Sequence, residues 1–319
     1  MPAIVHRPGP DQRHVIPSLI RSTARSALLL FAVAVLVFAA TELLPGDAAE
    51  ARTRGRASDA ELARLREQTG LDDPAWQRFG RWLAGLLHGD AGRSLISDRP
   101  VAVLIAERLP ATLALTACAL LVALPLMLLA AWVGSAPRLR SPAGGAIAAA
   151  AAVPQVVVAG ALVALFSGLL HWLPRVSLLP IGQSPWQRPE LLVLPTLSLA
   201  LPAAAFGAGL LAGAVADVRR LPHVEDAVLR GVPRWRVAAR HVLPFLFAPV
   251  LRVLAVICGG LIAATTVVET VFGYNGLGEL LVSSVASRDV PTVQAVALLG
   301  AAVVLAGLWL ADVVRGGTS

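Results

Sequence analysis

The chain has 319 residues, of which 56% are hydrophobic and only 15% are charged, and its mean hydropathy is +0.72. Soluble domains usually contain about 45–50% apolar and about 25% charged residues, so this composition indicates a membrane protein. The net charge of +7 comes from arginine alone, because the sequence contains no lysine. P-loop nucleotide hydrolysis and Schiff-base catalysis both need a lysine, and the composition therefore excludes both classes.

Six apolar blocks are each long enough to cross about 30 Å of hydrocarbon as a helix. They predict an all-α, polytopic membrane protein with six transmembrane helices. Prolines inside the blocks predict kinks rather than breaks, because neighbouring helices can satisfy the freed carbonyls. These prolines are Pro125, Pro154, Pro195 and Pro202. The blocks are Ala24–Leu44, Pro110–Val133, Gly145–Leu170, Leu191–Ala216, Val253–Phe272 and Thr292–Val313.

The arginines flank the apolar blocks and do not gather on a soluble domain, which argues against a nucleic-acid partner. The positive-inside rule then predicts that both termini lie in the cytoplasm. Residues 1–23 form a cytoplasmic tail, residues 24–44 the first span and residues 45–109 an extracytoplasmic segment. Residues 110–319 form a five-helix core that contains a cytoplasmic loop, residues 217–244.

This loop contains the residues that typically start and end two short helices joined by a turn. Pro222 can open the first helix, and Gly231 can end it in the left-handed conformation. Pro233 then permits a second helix that runs toward Leu243 and Pro244. The pattern predicts a helix–turn–helix outside the membrane, shaped to dock a cytoplasmic partner. Four apolar side chains are available to pack this element, namely Val228, Leu229, Val232 and Val237.

The spacing of residues in the loop resembles the EAA signature of ABC importer permeases. In that family, the first helix of the loop is a coupling helix that sits in a groove of the ATP-hydrolysing subunit. Two positions depart from the family pattern: Asp226 replaces alanine, and His241 replaces an aliphatic residue. The residues that carry the resemblance are Glu225, Asp226, Ala227, Gly231, His241, Leu243 and Pro244.

Further motifs resemble the peptide and nickel branch of these importers, in the same order along the chain. The resemblance covers about Ala24 to Val314 and implies the type I ABC importer permease fold. The fourth span departs from relatives, because the run Phe206–Leu211 replaces their usual arginines, and its effect on coupling stays open. The motifs are Pro45–Asp47, Gly89–Ser94, Arg108–Leu113, Val267–Phe272, Gly276–Gly278 and Arg288–Pro291.

The resemblance implies a transport subunit that catalyses nothing and holds no cofactor or metal. A second homologous permease would complete a heterodimer in the lipid of the inner membrane. Two cytoplasmic ATPase subunits would carry ATP and magnesium, and an extracytoplasmic binding protein would deliver the substrate. Transport would then follow alternating access between inward and outward states.

Within this family the resemblance favours di- and oligopeptides, with nickel or another small solute as the alternative. His88 and His171 are the candidate nickel ligands on the extracytoplasmic side, although the sequence has no His-x₃-His pair. An ion-coupled secondary transporter or an intramembrane enzyme would need carboxylates or paired polar groups within the spans, which are almost free of charge. Glu269, near the extracytoplasmic end of the fifth span, is expected to hydrogen-bond a neighbouring span or to face the pathway.

Overall fold

The computed structural model describes residues 12–43, 73–136, 140–178 and 185–316. Residues 45–72 of the predicted extracytoplasmic segment, which include the Pro45–Asp47 motif, lie outside this described part. Within it, the structure is helical and contains no β-strand, only an isolated bridge between Arg93 and Pro100. The chain divides into two compact units, one formed by Met1–Ala102 with Ser284–Ser319 and the other by Val103–Ser283.

Eleven α-helices follow one another along the described residues, and some of them are connected by short stretches of π- or 3₁₀-helix. They are α1 (Gln12–Glu42), α2 (Ala75–Leu87), α3 (Val101–Gly134), α4 (Arg140–Ala152), α5 (Gln155–Leu162), α6 (Glu190–Arg219), α7 (Pro222–Leu229), α8 (Arg234–Val237), α9 (Phe247–Phe272), α10 (Leu277–Ala286) and α11 (Val290–Gly316). A π-helix, Val163–Leu169, extends α5, and Pro185–Gln187 forms a 3₁₀ turn. Ala238–Val242 (π) and Leu243–Leu246 (3₁₀) connect α8 to α9.

Five helical segments of the described chain are long and apolar enough to cross a membrane. A sixth span results if α4 and α5, which meet at a bend of 93°, are counted as one. The predicted all-α fold is thus confirmed, and the prediction of six spans holds when this bent pair is counted as one. The helices extend beyond the predicted blocks: α3 begins at Val101, nine residues before the predicted start at Pro110.

The prolines behave in two ways. Pro125 lies inside α3, and Pro195 and Pro202 lie inside α6, as predicted. At Pro154 the prediction of a kink is wrong, because α4 ends at Ala152 and α5 begins only at Gln155. Pro154 has the extended angles φ −58° and ψ 138°, and a proline also pushes the residue before it out of the helical region. The third span is therefore a broken one.

In the first unit, α1 packs along α11, and α2 packs on α1 through aromatic rings. Phe79 of α2 lies 6.1 Å from Phe31 and 5.3 Å from Phe38 between ring centroids. Trp82 contacts Phe38 at 5.9 Å. Such edge and tilted ring pairs add about 0.5–1.5 kcal/mol to the burial of their area.

In the second unit, α6 packs against α4, α5 and α9. Small residues allow the helices to approach closely, as is usual between helices in membranes. A Cβ atom added to Gly207 of α6 would lie 2.5 Å from the sulfur of Met127 and 2.7 Å from the Cδ1 atom of Ile257. Gly207 therefore marks the tight crossing of α3, α6 and α9 around which this unit is built.

Candidate functional site

Residues 217–244, here called the coupling segment, form the predicted helix–turn–helix. Pro222 occupies the first turn of α7, where its missing N–H costs nothing. Gly231 ends the helix with φ +74°, and its N–H donates to the Val228 carbonyl at 3.0 Å. The Val232 N–H donates to the Ala227 carbonyl at 3.1 Å, which completes the hydrogen-bonded turn. Local chemistry alone accounts for this geometry.

The packing of the coupling segment differs from the prediction in one respect. Val237 is buried and Val232 packs on the core, as predicted, but Val228 and Leu229 are 58% and 87% exposed. Val224 and Ala227, three residues apart, instead form the buried side of α7. Because successive residues of a helix are turned by 100°, Leu229 faces away from the core, and Val228 lies at the edge of the buried side. The end of α7 presents an uncovered apolar surface.

The EAA-like residues all lie on this one segment. Glu225 and Asp226 are exposed, and Asp226 pairs with Arg230 at 2.7 Å. Leu243 and Pro244 are exposed as well. The His241 carbonyl lies 3.2 Å from Nε2 of His223. In this arrangement Ala227 packs the helix against the protein and Gly231 forms the turn, whereas the side chains of the acidic pair are exposed at the protein surface.

Arg219 anchors the coupling segment to the rest of the second unit, a role that the sequence analysis did not foresee. Its guanidinium donates to the Trp132 carbonyl at 3.1 Å and to Oγ of Ser135 at 2.9 Å. It also lies 4.4 Å from the centre of the Trp132 ring. Through these contacts the last residue of α6 is fixed to the end of α3, directly before α7 begins.

A polar cluster lies at the opposite end of α9, around the fully buried side chain of Glu269. Oε1 of Glu269 accepts a hydrogen bond from the Thr112 hydroxyl at 2.7 Å. Oε2 accepts from the N–H groups of Gly278 at 2.6 Å and Glu279 at 3.2 Å. The predicted hydrogen bond between Glu269 and a neighbouring span is confirmed, and the carboxylate also caps the beginning of α10.

Further contacts hold the loop between α9 and α10 against α3. Tyr274 is buried, and its hydroxyl donates to the Ala111 carbonyl at 3.0 Å. Burial raises the pKa of this hydroxyl, so that it stays protonated as a donor. Arg108 and Glu279 form an ion pair. We call this group the Glu269 cluster; it comprises Arg108, Thr112, Glu269, Tyr274, Gly276, Gly278 and Glu279.

The two glycines of the cluster leave room for the Glu269 carboxylate and the helix that carries it. A Cβ atom on Gly276 would lie 2.2 Å from the carboxyl group of Glu269. A Cβ atom on Gly278 would lie 2.3 Å from Cα of Thr266. The motif Gly276–Gly278 is thus explained by close approach, and the structure brings it together with the motif Arg108–Leu113.

Two other motifs meet in the first unit. The buried carboxylate of Asp289 accepts from the Ser94 hydroxyl at 2.5 Å, the Leu95 N–H at 2.9 Å and the Thr292 hydroxyl at 2.8 Å. Gly92 lies beside Pro291, since a Cβ atom there would be 3.7 Å from that ring. The motifs Gly89–Ser94 and Arg288–Pro291 therefore contact each other directly. The sequence marked both runs as motifs through their resemblance to the family, but it did not indicate that they contact each other.

The candidate nickel ligands have local contacts. Nδ1 of His88 lies 2.7 Å from the Ala84 carbonyl, and Nδ1 of His171 lies 3.2 Å from the Leu169 carbonyl. Among the described residues, no group of three or more His, Cys, Asp or Glu side chains is placed to hold a metal ion. No observation on these residues favours metal transport.

Comparison with known proteins agrees with the motifs. Residues 123–316 match the family described as "Binding-protein-dependent transport system inner membrane component", and residues 15–116 match the family of the N-terminal membrane component of these systems. The chain is 32% identical over 279 residues to a protein of Brucella abortus (strain 2308), named provisionally as a peptide transport system permease, covering 86% of this chain and 89% of the relative. It is 35% identical over 274 residues to the glutathione transport system permease protein GsiC of Escherichia coli (strain K12), covering 85% and 87%.

Proposed function

Because the chain belongs to the family of inner membrane components of binding-protein-dependent transport systems, we propose that it is a permease subunit that carries peptides across the inner membrane. The names of its relatives support this substrate class, since they refer to peptides and to glutathione, which is itself a tripeptide. The subunit forms part of the pathway and works by alternating access. It is a transport subunit, and ATP and magnesium belong to partner ATPase subunits.

The observation that carries the proposal is the uncovered end of α7. Val224 and Ala227 fix this helix to the protein, while Leu229, at 87% exposure, projects away from it. Exposed leucine next to an acidic pair and to Gly231 fits a docking site for a protein partner, because buried apolar anchors dominate the energy of such interfaces. The partner of the coupling segment is an ATPase subunit.

The remaining partners follow from the same family. A second, homologous permease completes a heterodimer, and an extracytoplasmic binding protein delivers the peptide. The arginine-rich coupling segment faces the cytoplasm, in agreement with the positive-inside rule, and both termini then lie on that side as well. Arg219 supports transmission of force, because it fixes the segment to α3 through the Trp132 carbonyl and the Ser135 hydroxyl.

The test is a pair of variants at one exposed position. Leu229→Asp places a charge in the docking surface, and Leu229→Met keeps an apolar side chain of similar volume. We expect Leu229→Asp to lower co-purification of the ATPase subunits and uptake of a labelled tripeptide by at least about tenfold, equivalent to about 1.4 kcal/mol of binding free energy. Leu229→Met should retain both, and uptake of labelled nickel serves as the control for substrate. Full ATPase capture and peptide uptake by Leu229→Asp would remove the coupling role of α7.

A further inference from the structure

The guanidinium of Arg219 uses only one of its nitrogen atoms to hold the protein together. Nη1 donates to both the Trp132 carbonyl and the Ser135 hydroxyl. Nε and Nη2 are not buried, and no hydrogen bond joins them to another described residue. These two nitrogens share one edge of the guanidinium, which can bind two oxygens of a single anion in parallel. The bonds of Nη1 and the contact with the Trp132 ring fix this edge in place.

A second arginine adds its charge to that of Arg219. Arg234 begins α8, and it lies close enough to repel Arg219 electrostatically. Within the described part of the chain, no carboxylate lies within salt-bridge distance of either side chain. Asp217, the acidic residue nearest to Arg219 in the sequence, is turned from it by about 200° around α6. Two like charges held close together without an acid between them favour the binding of an anion.

We call Trp132, Ser135, Arg219 and Arg234 the Arg219 site, and it lies where two spans end. Arg219 is the last residue of α6, and Trp132 lies in the last turn of α3. Trp235, beside Arg234, is 66% exposed. Tryptophan is enriched where hydrocarbon meets water, and the phosphates of phospholipids lie at that depth. The Arg219 site therefore lies at the level of the lipid headgroups.

The exposed side of α3 leads to this site through large apolar side chains. Leu121 is 73% exposed, Leu129 61% and Val133 41%. Their spacing of eight and four residues places them on one side of the helix. Acyl chains can lie along this side, so an anion that carries such chains gains contacts that a small soluble anion lacks.

We propose that the Arg219 site binds the phosphate of an anionic phospholipid whose acyl chains lie along the exposed side of α3. Basic sites between spans on the cytoplasmic side of a membrane suit such headgroups. The two protein partners proposed above fit the site less well. A second permease obeys the positive-inside rule too, so it is basic at the same depth and repels the two arginines. The proposed ATPase contact, Leu229, lies at the far end of α7, a helix about 12 Å long.

A bound phosphate has a consequence for the coupling segment. Arg219 lies near the beginning of this segment, and Arg234 follows its turn at Gly231. Without an anion the two charges repel each other, whereas a phosphate between them accepts charge-assisted hydrogen bonds from both. The lipid thereby holds both halves of the coupling segment at the membrane surface. This role goes beyond the proposed function, because it does not depend on which substrate the chain transports.

The test measures how tightly the full chain, purified in a neutral detergent, binds phosphatidylglycerol and phosphatidylcholine with the same acyl chains, by native mass spectrometry. We expect the wild type to bind phosphatidylglycerol about tenfold more tightly, because only this lipid has a net negative charge. Arg234→Gln should lower the affinity for phosphatidylglycerol about tenfold and leave that for phosphatidylcholine unchanged, since it removes a charge-assisted bond. Arg234→Lys should retain most of the affinity, because an ammonium group also binds phosphate.

Arg236→Gln is the matched control, since it lies on the same helix and changes the net charge equally. Arg236 is exposed, and its guanidinium lies 5.1 Å from the centre of the Trp235 ring, outside the Arg219 site. We expect this variant to keep its affinity for phosphatidylglycerol within about twofold of wild type. The difference between the two variants should persist in the complete importer with its ATPase subunits. Free glycerol phosphate should not displace the lipid, because it has no acyl chains.

Three results would overturn the proposal. Equal losses of affinity in Arg234→Gln and Arg236→Gln would show that a basic surface attracts the lipid without a specific site. Release of the lipid when the ATPase subunits bind would assign the Arg219 site to the ATPase instead. Displacement of the lipid by glycerol phosphate would show that a soluble anion is the ligand and that the acyl chains contribute nothing.

Discussion

The two ends of α9 carry sequence motifs that are built in opposite ways. The coupling segment precedes α9, and its turn is held by backbone hydrogen bonds between residues three to five apart, such as Val232 to Ala227. The Glu269 cluster lies at the C-terminal end of α9. Its side-chain contacts join residues that are far apart in the chain. Thr112 and Glu269 are separated by 157 residues, and Arg108 and Glu279 by 171.

The difference in burial is equally large. Glu269 is fully buried, whereas Leu229 is 87% exposed. Loss of a buried hydrogen-bond partner leaves donors without water, so the cluster should be sensitive to small changes. Small changes in the coupling segment should have little effect on the free energy of unfolding, because Glu225, Asp226, Val228 and Leu229 are exposed. One region therefore supports the fold, and the other is available for binding.

The largest expected effect on stability comes from Glu269→Ala. The substitution removes the acceptor of the buried Gly278 N–H and of the partly buried Thr112 hydroxyl and Glu279 N–H. We expect the free energy of unfolding to fall by about 3 kcal/mol, measured by thermal unfolding in detergent micelles. Glu190→Gln, at an exposed glutamate, is the control and should change stability by less than about 0.5 kcal/mol. Equal stability of the two variants would contradict the structural role of the cluster.

A smaller effect on the free energy of unfolding is expected when one glycine of each region is replaced by alanine. Gly276→Ala places a methyl group 2.2 Å from the Glu269 carboxyl and forces the cluster apart, which we expect to cost about 2 kcal/mol. The methyl group of Gly231→Ala would have no atom within 4 Å, so the only cost is that of the left-handed backbone, about 1 kcal/mol of unfolding free energy. The same unfolding measurement compares them. If Gly231→Ala proved the more destabilising of the two, the contrast between a crowded cluster and an open turn would not hold.

The smallest effect is expected for Asp226→Asn in the coupling segment. This change breaks the pair with Arg230, whose two side chains are 55% and 74% exposed. Solvent and salt screen such a pair, and we expect a change in unfolding free energy below about 0.5 kcal/mol. The comparison is with Glu269→Ala in the same micelles, and a loss above about 1 kcal/mol would show that the segment is more tightly integrated than its exposure indicates.

Much of the coupling segment could be predicted from residues that act locally. Pro222, Gly231 and Pro233 fix the start, the turn and the second helix through their own backbone preferences. The buried side of α7 could not be predicted in this way. Val224 and Val228 are both valines on a short helix, and only the position of the neighbouring helices decides which of them is covered.

The sequence by itself determined the number of spans, the all-α class and the helix–turn–helix of the coupling segment, because long apolar blocks and the backbone of proline and glycine act over a few residues. Only the tertiary structure decided that the span at Pro154 breaks rather than bends. It also decided that Glu269 meets Thr112 and Gly278, and that Asp289 meets Ser94. These outcomes depend on which helices pack together, and burial against distant residues is not encoded in any single stretch of the chain.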